Sequence, residues 1–376
     1  MADYNPRIKE IEDELKKTKY NKKTQYAIGL MKAKLAMLKD KEQARAGKKS
    51  LHQGYAVKKS GDATVILIGF PSSGKSTLLN ALTNAQSEVA AYEFTTLNVV
   101  PGMMEYKGAK IQVLDVPGIL SGAASGKGRG REVLSVMMSA DFVIMLIDVN
   151  RTEALEAIKK EINDAHLRLN QVKPDVKIKK TMRGGIRIGK TVPLPELNDE
   201  TIKAIMMEFK LNNADVLIRS PLTADQFIDV VEGNKRYLPG VIVMNKIDIS
   251  DPTITTSDTK ENKEKLAKLA KEYHVDICIS ADKKINLPAL KDMIFDRMNF
   301  IRIYCKEVNK KADLDEPMIL RKGNTLRTMC EKLHKDFVMN FRFAKVWGKS
   351  VKYEGQKVVK LDHFLADGDV VELHIG

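Results

Sequence analysis

Between an apolar run, TVILIG, and a helix-forming stretch, STLLNALT, stands Gly69-Phe70-Pro71-Ser72-Ser73-Gly74-Lys75-Ser76. This G-x4-G-K-[ST] pattern constrains the fold more than any other feature of the chain. A strand that turns through glycines straight into a helix N-terminus aims backbone N–H groups at a bound phosphate, where the helix dipole favours negative charge. The pattern therefore predicts the opening strand, turn and helix of an α/β sheet. Lys75 is placed to bridge β- and γ-phosphates and Ser76 to ligate Mg²⁺, with Pro71, Ser72, Ser73 and Thr77 completing the loop and the first helical turn. A chance match in a chain of this length is roughly 1%.

Other segments supply what a phosphate loop alone lacks. Asp115-Val116-Pro117-Gly118 ends an apolar run; the carboxylate suits a Mg²⁺-bound water and the Gly118 N–H a γ-phosphate. Asn245-Lys246-Ile247-Asp248 follows VIVM, and a carboxylate at Asp248 accepts from both N1–H and the exocyclic amine of guanine. Adenine offers neither donor in that geometry, so a buried unpaired carboxylate would penalise ATP. Asn245 braces this loop, the Lys246 stem lies against the purine, and the backbone at Ser280-Ala281 meets guanine O6. Tyr92-Glu93-Phe94-Thr95-Thr96-Leu97 has the position of a first switch, with Thr96 completing Mg²⁺ coordination only under GTP. Lys75, Thr96 and Gly118 form the expected catalytic set. The residue after Gly118 is Ile119, where many GTPases carry a water-orienting Gln. The glycine-rich, basic stretch 121–131 then reads as a second switch, with Lys127, Arg129 and Arg131 open to either phosphate or RNA.

Hydrophobic periodicity divides the chain. Residues 6–46 read as two helices, Ile8, Ile11 and Leu15 marking one face of the first and Ala27, Met31, Lys34, Leu35 and Leu38 one face of the second. Asn21 suits the turn between them and Gly47 the stop. Strand-like runs at 64–69, 97–106, 110–116, 142–148, 241–244 and 275–279 alternate with helical stretches at 75–84, 153–169, 259–273 and 287–298. That alternation predicts a mostly parallel sheet covered by helices. The interruption at 170–238 is too long for a structureless loop and reads as an inserted α+β subdomain with helices near 199–209 and 223–232. After 301 come IRIYCKEV, a helix near 325–335 and strand-like runs at 342–347, 351–353 and 369–375, a small β-grasp unit. The expected division is 1–60, 61–169 with 239–300, 170–238 and 301–376.

Charge separates the same regions. The net charge of +14 comes from +9 in residues 1–60, +7 in 168–190 and +4 in 301–376, leaving −6 elsewhere. Positive appendages on a mildly acidic core point to a polyanionic partner, a ribosome or structured RNA, with no sign of DNA specificity. The alternative is a GTP-dependent switch whose appendages bind protein without touching RNA. Cys278, Cys305 and Cys330 have no CxxC spacing and the six histidines no ligand spacing, which suits a reducing cytoplasm and no zinc site. No apolar run approaches the ~18 residues of a membrane span, and the charged opening MADYNPRIKE is unlike a signal peptide.

The stretches GFPSSGKSTLLN, AAYEFTTL, EYKGAKIQVLDVPGI, GAASGKGRGREV and NKID together resemble the developmentally regulated GTP-binding proteins, a branch of the Obg-like GTPases. The resemblance runs over nearly the whole chain. It implies a helical N-terminal element, a GTPase domain with an insertion like the second domain of ribosomal protein S5, and a C-terminal TGS domain. It further implies GTP and GDP as ligands, Mg²⁺, and work on or near ribosomes, in eukaryotic members beside a dedicated protein partner. A hydrophobic residue in place of the catalytic Gln, as at Ile119, is a trait of such GTPases. Some relatives also hold K⁺ near the phosphates through a P-loop Asn; the corresponding residue here is Ser72.

Overall fold

The structure is a computed structural model that describes residues 5–19, 21, 24–47, 60–83, 100–116, 136–250 and 259–376. The chain opens with α1 (Asn5–Lys17) and α2 (Gln25–Gly47). There follow β1 (Ala63–Ile68), α3 (Lys75–Leu82), β2 (Val100–Tyr106), β3 (Ala109–Asp115), β4 (Phe142–Asp148) and α4 (Ala154–Asp164). The middle of the chain carries β5 (Leu167–Leu169), β6 (Val176–Lys180), β7 (Ile186–Lys190), α5 (Asp199–Glu208), β8 (Ala214–Ile218), α6 (Ala224–Glu232) and β9 (Arg236–Leu238). Next come β10 (Gly240–Asn245), α7 (Ile247–Ser250), α8 (Lys260–Glu272), β11 (Ile277–Cys278) and α9 (Leu287–Arg297). The C-terminal region holds β12 (Phe300–Lys306), β13 (Met318–Arg321), α10 (Leu326–Leu333), α11 (Lys335–Met339), β14 (Phe341–Trp347), β15 (Gln356–Val358) and β16 (Val370–Ile375). The described residues fall into two compact units, one drawn from 1–54, 121–138 and 159–238, the other from 55–120, 139–158 and 239–376.

The second of these units contains a six-stranded sheet in the order β11-β10-β4-β1-β3-β2. Every neighbouring pair is parallel except β2 with β3. All six residues of β1 are buried, as a strand covered on both faces requires. Val65, Leu67, Val113, Ile144 and Val243 meet Leu78 and Leu82 of α3 and Leu290 and Ile294 of α9 in one apolar core. The same unit includes a five-stranded sheet in the order β13-β12-β16-β14-β15, the strand order of a β-grasp fold. Its core joins Ile303, Val346 and Val371 to Leu326 and Met329 of α10. The two sheets share apolar packing, since Phe300 and Ile319 belong to the first core. Pro317 lies against Gly108, Lys332 pairs with Asp62 at 2.8 Å and Arg321 with Asp141 at 3.2 Å.

The other unit is built on a three-stranded sheet, β6-β8-β7, backed by α5 and α6. Asn198 caps α5 and a Thr223–Gln226 capping box opens α6. Asn21 and Thr24 exchange side-chain hydrogen bonds in the turn between α1 and α2. α2 buries Ile28, Gly29 and Ala33, while Ala27 and Lys34 of the expected face are exposed. The reason is the neighbour: Gly29 sits where an added Cβ would lie 2.5 Å from Thr201 Cγ2, so the smallest residues face α5.

Two further expectations need correction. The helix expected over 153–169 stops at Asp164, because His166 turns at φ 64° and Leu167–Leu169 pairs with β9. Residues 351–353 are not a strand; the hairpin partner of β14 is β15, at Gln356–Val358. β13 was hidden, four residues whose pairing with β12 is long-range. Residues 97–99 of the second expected strand lie outside the described residues.

Candidate active site

Four parallel strands deliver the candidate residues to one edge of the sheet. β1 runs into the loop from Gly69 to Gly74, β3 ends at Asp115, β10 at Asn245, and β11 leads into Ser280 and Ala281. In open α/β sheets, ligands bind beyond the carboxyl ends of the strands. The phosphate loop turns through Ser72 and Gly74, at φ 65° and 92°. A Cβ on Gly74 would lie 2.3 Å from Asn245 Nδ2, so glycine is required there for space as well as conformation. Pro71, Ser72, Ser76 and Thr77 are exposed, whereas Ser73 is buried, its hydroxyl without a hydrogen-bond partner among the described residues.

Lys75 is the first residue of α3 and donates to the carbonyls of Gly69 and Phe70 at 2.9 and 3.0 Å. Its ammonium thus lies folded over the loop it belongs to. Burial holds it below the ordinary lysine range, against the opposing pull of Asp115. Ser76 Oγ donates to Asp115 Oδ2 at 2.7 Å, while Asp115 Oδ1 is buried with no hydrogen-bond partner among the described residues. A hydroxyl beside a carboxylate with one unspent oxygen is an all-oxygen donor set, and it fits Mg²⁺.

Asn245, 2% exposed, ties two loops together. Its Nδ2 donates to the Ser73 carbonyl at 2.9 Å and its Oδ1 accepts from the Ala281 N–H at 3.0 Å. Lys246, at φ 66°, donates to the Ser72 carbonyl and to Asp148 Oδ2, both at 2.7 Å. Asp148 also accepts from the Asn150 N–H at 2.9 Å. Burial opposes the charge on Asp148, but the bonds from Lys246 and Asn150 outweigh it and hold the carboxyl below its usual range. Asp248 is half-buried in α7, and Ser280 is fully buried with its Oγ accepting from Lys283 N–H at 3.1 Å.

Thus Gly69 to Thr77, Asp115, Asn245, Lys246, Asp248, Ser280 and Ala281 come together at one edge. Thr96, Gly118, Ile119 and both expected switch segments lie outside the described residues. Sequence reasoning missed Asp148. The available signal was its position as the last residue of an apolar parallel strand, at the edge where such sheets bind ligands.

Comparisons with known proteins bear on this arrangement. A family model described as "50S ribosome-binding GTPase" matches residues 64–180, one for the C-terminal region of the same domain matches 183–300, and a TGS model matches 301–375. An uncharacterized GTP-binding protein of Methanocaldococcus jannaschii is 54% identical over 98% of this chain and 92% of its own. Developmentally-regulated GTP-binding protein 2 of Homo sapiens is 41% identical over 98% of each chain. A Dictyostelium discoideum homologue of protein 1 is 42% identical, again over 98% of each. The chain belongs to the developmentally regulated GTP-binding proteins. As a member of that family it is a GTPase, and the phosphate loop, the Asp115 turn and the Asn245 loop belong to its GTPase domain. The β-grasp unit that shares this domain's core is the family's TGS domain.

Proposed function

We propose that the protein is a GTP-operated switch that associates with ribosomes or structured RNA in the cytoplasm and acts in translation. On this reading Lys75 bridges the β- and γ-phosphates, and the backbone from Pro71 to Ser76 cradles them. Ser76, Thr96 and, through water, Asp115 hold Mg²⁺, which when bound neutralises phosphate charge. Asp248 selects guanine, the Ala281 N–H meets its O6, and Asn245 keeps phosphate and base loops in register. Gly118 senses the γ-phosphate. With Ile119 in place of a water-orienting Gln, the isolated protein turns over slowly, and Ile119→Gln leaves it slow.

The observation that supports an RNA partner is the open face of the β6-β8-β7 sheet. Strand register puts Lys177, Leu217 and Gly189 in one row and Lys179, Asp215 and Arg187 in the next. Arg187 occupies Asp215 with two bonds, at 2.7 and 3.1 Å. Lys177, Lys179, Lys180 and Arg183 are exposed, and among the described residues none has an ion-pair partner. The N-terminal hairpin is different, since Lys32 pairs with Asp225 at 2.6 Å and Lys39 with Glu12 at 2.9 Å. Lys177 and Lys179 on this face, with Lys180 and Arg183 at the end of β6 and beyond it, fit a phosphate backbone, whose neutralisation releases counterions.

Sedimentation with ribosomes, with a GTP analogue and with GDP, tests the reading. Binding should be stronger with the analogue and fall steeply with salt. Reversing charge at Lys177, Lys179, Lys180 and Arg183 should flatten that slope while leaving nucleotide affinity unchanged. Absent binding, or an unaltered slope, would hand the lead to a switch that acts on proteins alone.

A further inference from the structure

The TGS sheet has a second face, turned away from α10, and its composition is unusual. Register aligns Lys306, Glu372, Lys345 and Lys357 in one row across four strands. Phe343 and His374 lie beyond one side of this row and Trp347 beyond the other. Ala344, Val346 and Val371 alternate with these residues and face the core, which fixes the direction of the rest. At the β13 end and the start of β12 this face carries Phe300 and Ile319 into the GTPase core, whereas farther across it Phe343, Lys345 and Trp347 are half-buried and Lys357 is exposed.

Glu372, 2% exposed, organises the row. It accepts from Lys306, from His374 Nε2 at 2.8 Å, and lies 3.6 Å from Lys345 Nζ. One carboxylate thus draws two ammonium groups down beside the rings while leaving the face positive. The rings themselves are held in place. The indole of Trp347 has Lys306 Nζ 4.9 Å from its centroid, and Gly355 lies so close that an added Cβ would be 3.1 Å from Nε1. Phe343 stacks on His374 with centroids 4.2 Å apart and planes at 15°, and Lys357 Nζ sits 4.2 Å from its centroid. Trp347 thus lies beside a lysine anchored by Glu372, and Phe343 beneath Lys357, an exposed cation with no ion-pair partner among the described residues. An entering base can take the place of the Lys357 ammonium over Phe343, and the displaced amine then meets the adjoining phosphate.

We propose that this face of the TGS sheet binds single-stranded RNA, Trp347 and Phe343 stacking unpaired bases while Lys345 and Lys357 take the phosphates. The choice of RNA rests on the reading above, but the surface and the chemistry are separate from the basic sheet invoked there.

The chain has a single tryptophan, so its emission reports on this face alone. The full-length protein would be titrated with a short single-stranded oligoribonucleotide and, separately, with the blunt duplex of the same sequence. The single strand should quench Trp347 emission at saturation and the duplex should not. With a dye-labelled strand, Trp347→Leu and the exposed-site change Lys357→Glu should each weaken single-strand binding about tenfold. Duplex binding and GDP affinity should stay as they were, which also shows that the variants fold. Single-strand binding without a change in emission, no binding, or indifference to both substitutions would overturn the proposal. Duplex or ribosome binding that survives such a result leaves the basic-sheet reading standing. Quenching without any ribosome binding sinks that reading and keeps this one.

Discussion

Asn245 places one side-chain amide in two loops, and its neighbour Lys246 reaches back to the phosphate loop with Asp148 as anchor. The base side and the phosphate side are thereby braced against each other by protein groups alone. Asp148→Asn keeps the shape but turns a charge-assisted bond into a neutral one, a loss of about 1 kcal/mol. GDP affinity should fall about fivefold, read by titration with a fluorescent nucleotide, and unchanged affinity would remove Asp148 from the brace. Because the folded state holds this carboxyl below its ordinary range, the pairing is complete above that range. It is lost only as pH falls through the depressed value, so acidification from neutral to about pH 5 should leave this contribution intact. Asp248→Asn should instead exchange GTP for xanthosine triphosphate, since an amide donates where the carboxylate only accepts; GTP binding as tight as before would take Asp248 off the base. Asp248 and Asn245 were legible because their neighbours spell a motif. Asp148 was not: its partnership follows from the register that sets it opposite Asn245, a contact between distant stretches of chain.

Among the elements, α2 shows where periodicity fails. Ala27, Ile28, Leu30, Met31, Leu35, Met37 and Leu38 surround it with apolar side chains, so the pattern cannot choose which face is buried. Gly29 makes that choice through its approach to Thr201 of α5. Gly to Ala inside a helix ordinarily gains up to ~1 kcal/mol. Here the added methyl meets a short, buried side chain, and overpacking costs ~1–3 kcal/mol. Gly29→Ala should therefore lower the urea midpoint of unfolding, and adding Thr201→Ser should restore much of the loss. A stabilised single variant would show that the helices part freely. Strong runs such as β1 and β4 were plain in the sequence because apolar residues fill them. β13 and β15 were not, since four and three residues acquire strand character only from their partners.

At the scale of the molecule, the TGS domain begins as a separate stretch of sequence yet adds Ile319 to the GTPase core and sets Pro317 against Gly108. Ending the chain at residue 300 removes that packing and the ion pairs of Lys332 and Arg321. Exposing a site for one large aliphatic side chain costs about 2 kcal/mol, or about 5 °C in a domain of this size. The truncated protein, saturated with GDP, should melt that much earlier in a thermal scan while keeping its nucleotide affinity; an unchanged midpoint would mean the shared packing is idle. The order of domains could be read from motifs and charge, whereas this sharing could not, because it joins residues some two hundred positions apart. The pairing of α2 with α5 has a consequence in time. Roughly 150 residues separate them, and at ~5–20 residues per second synthesis takes on the order of ten seconds to cross that gap. Until then Ala33, which belongs to the core formed with α5 and the β6-β8-β7 sheet, lacks those neighbours. The growing chain, more than the finished molecule, is where aggregation and chaperone capture would act.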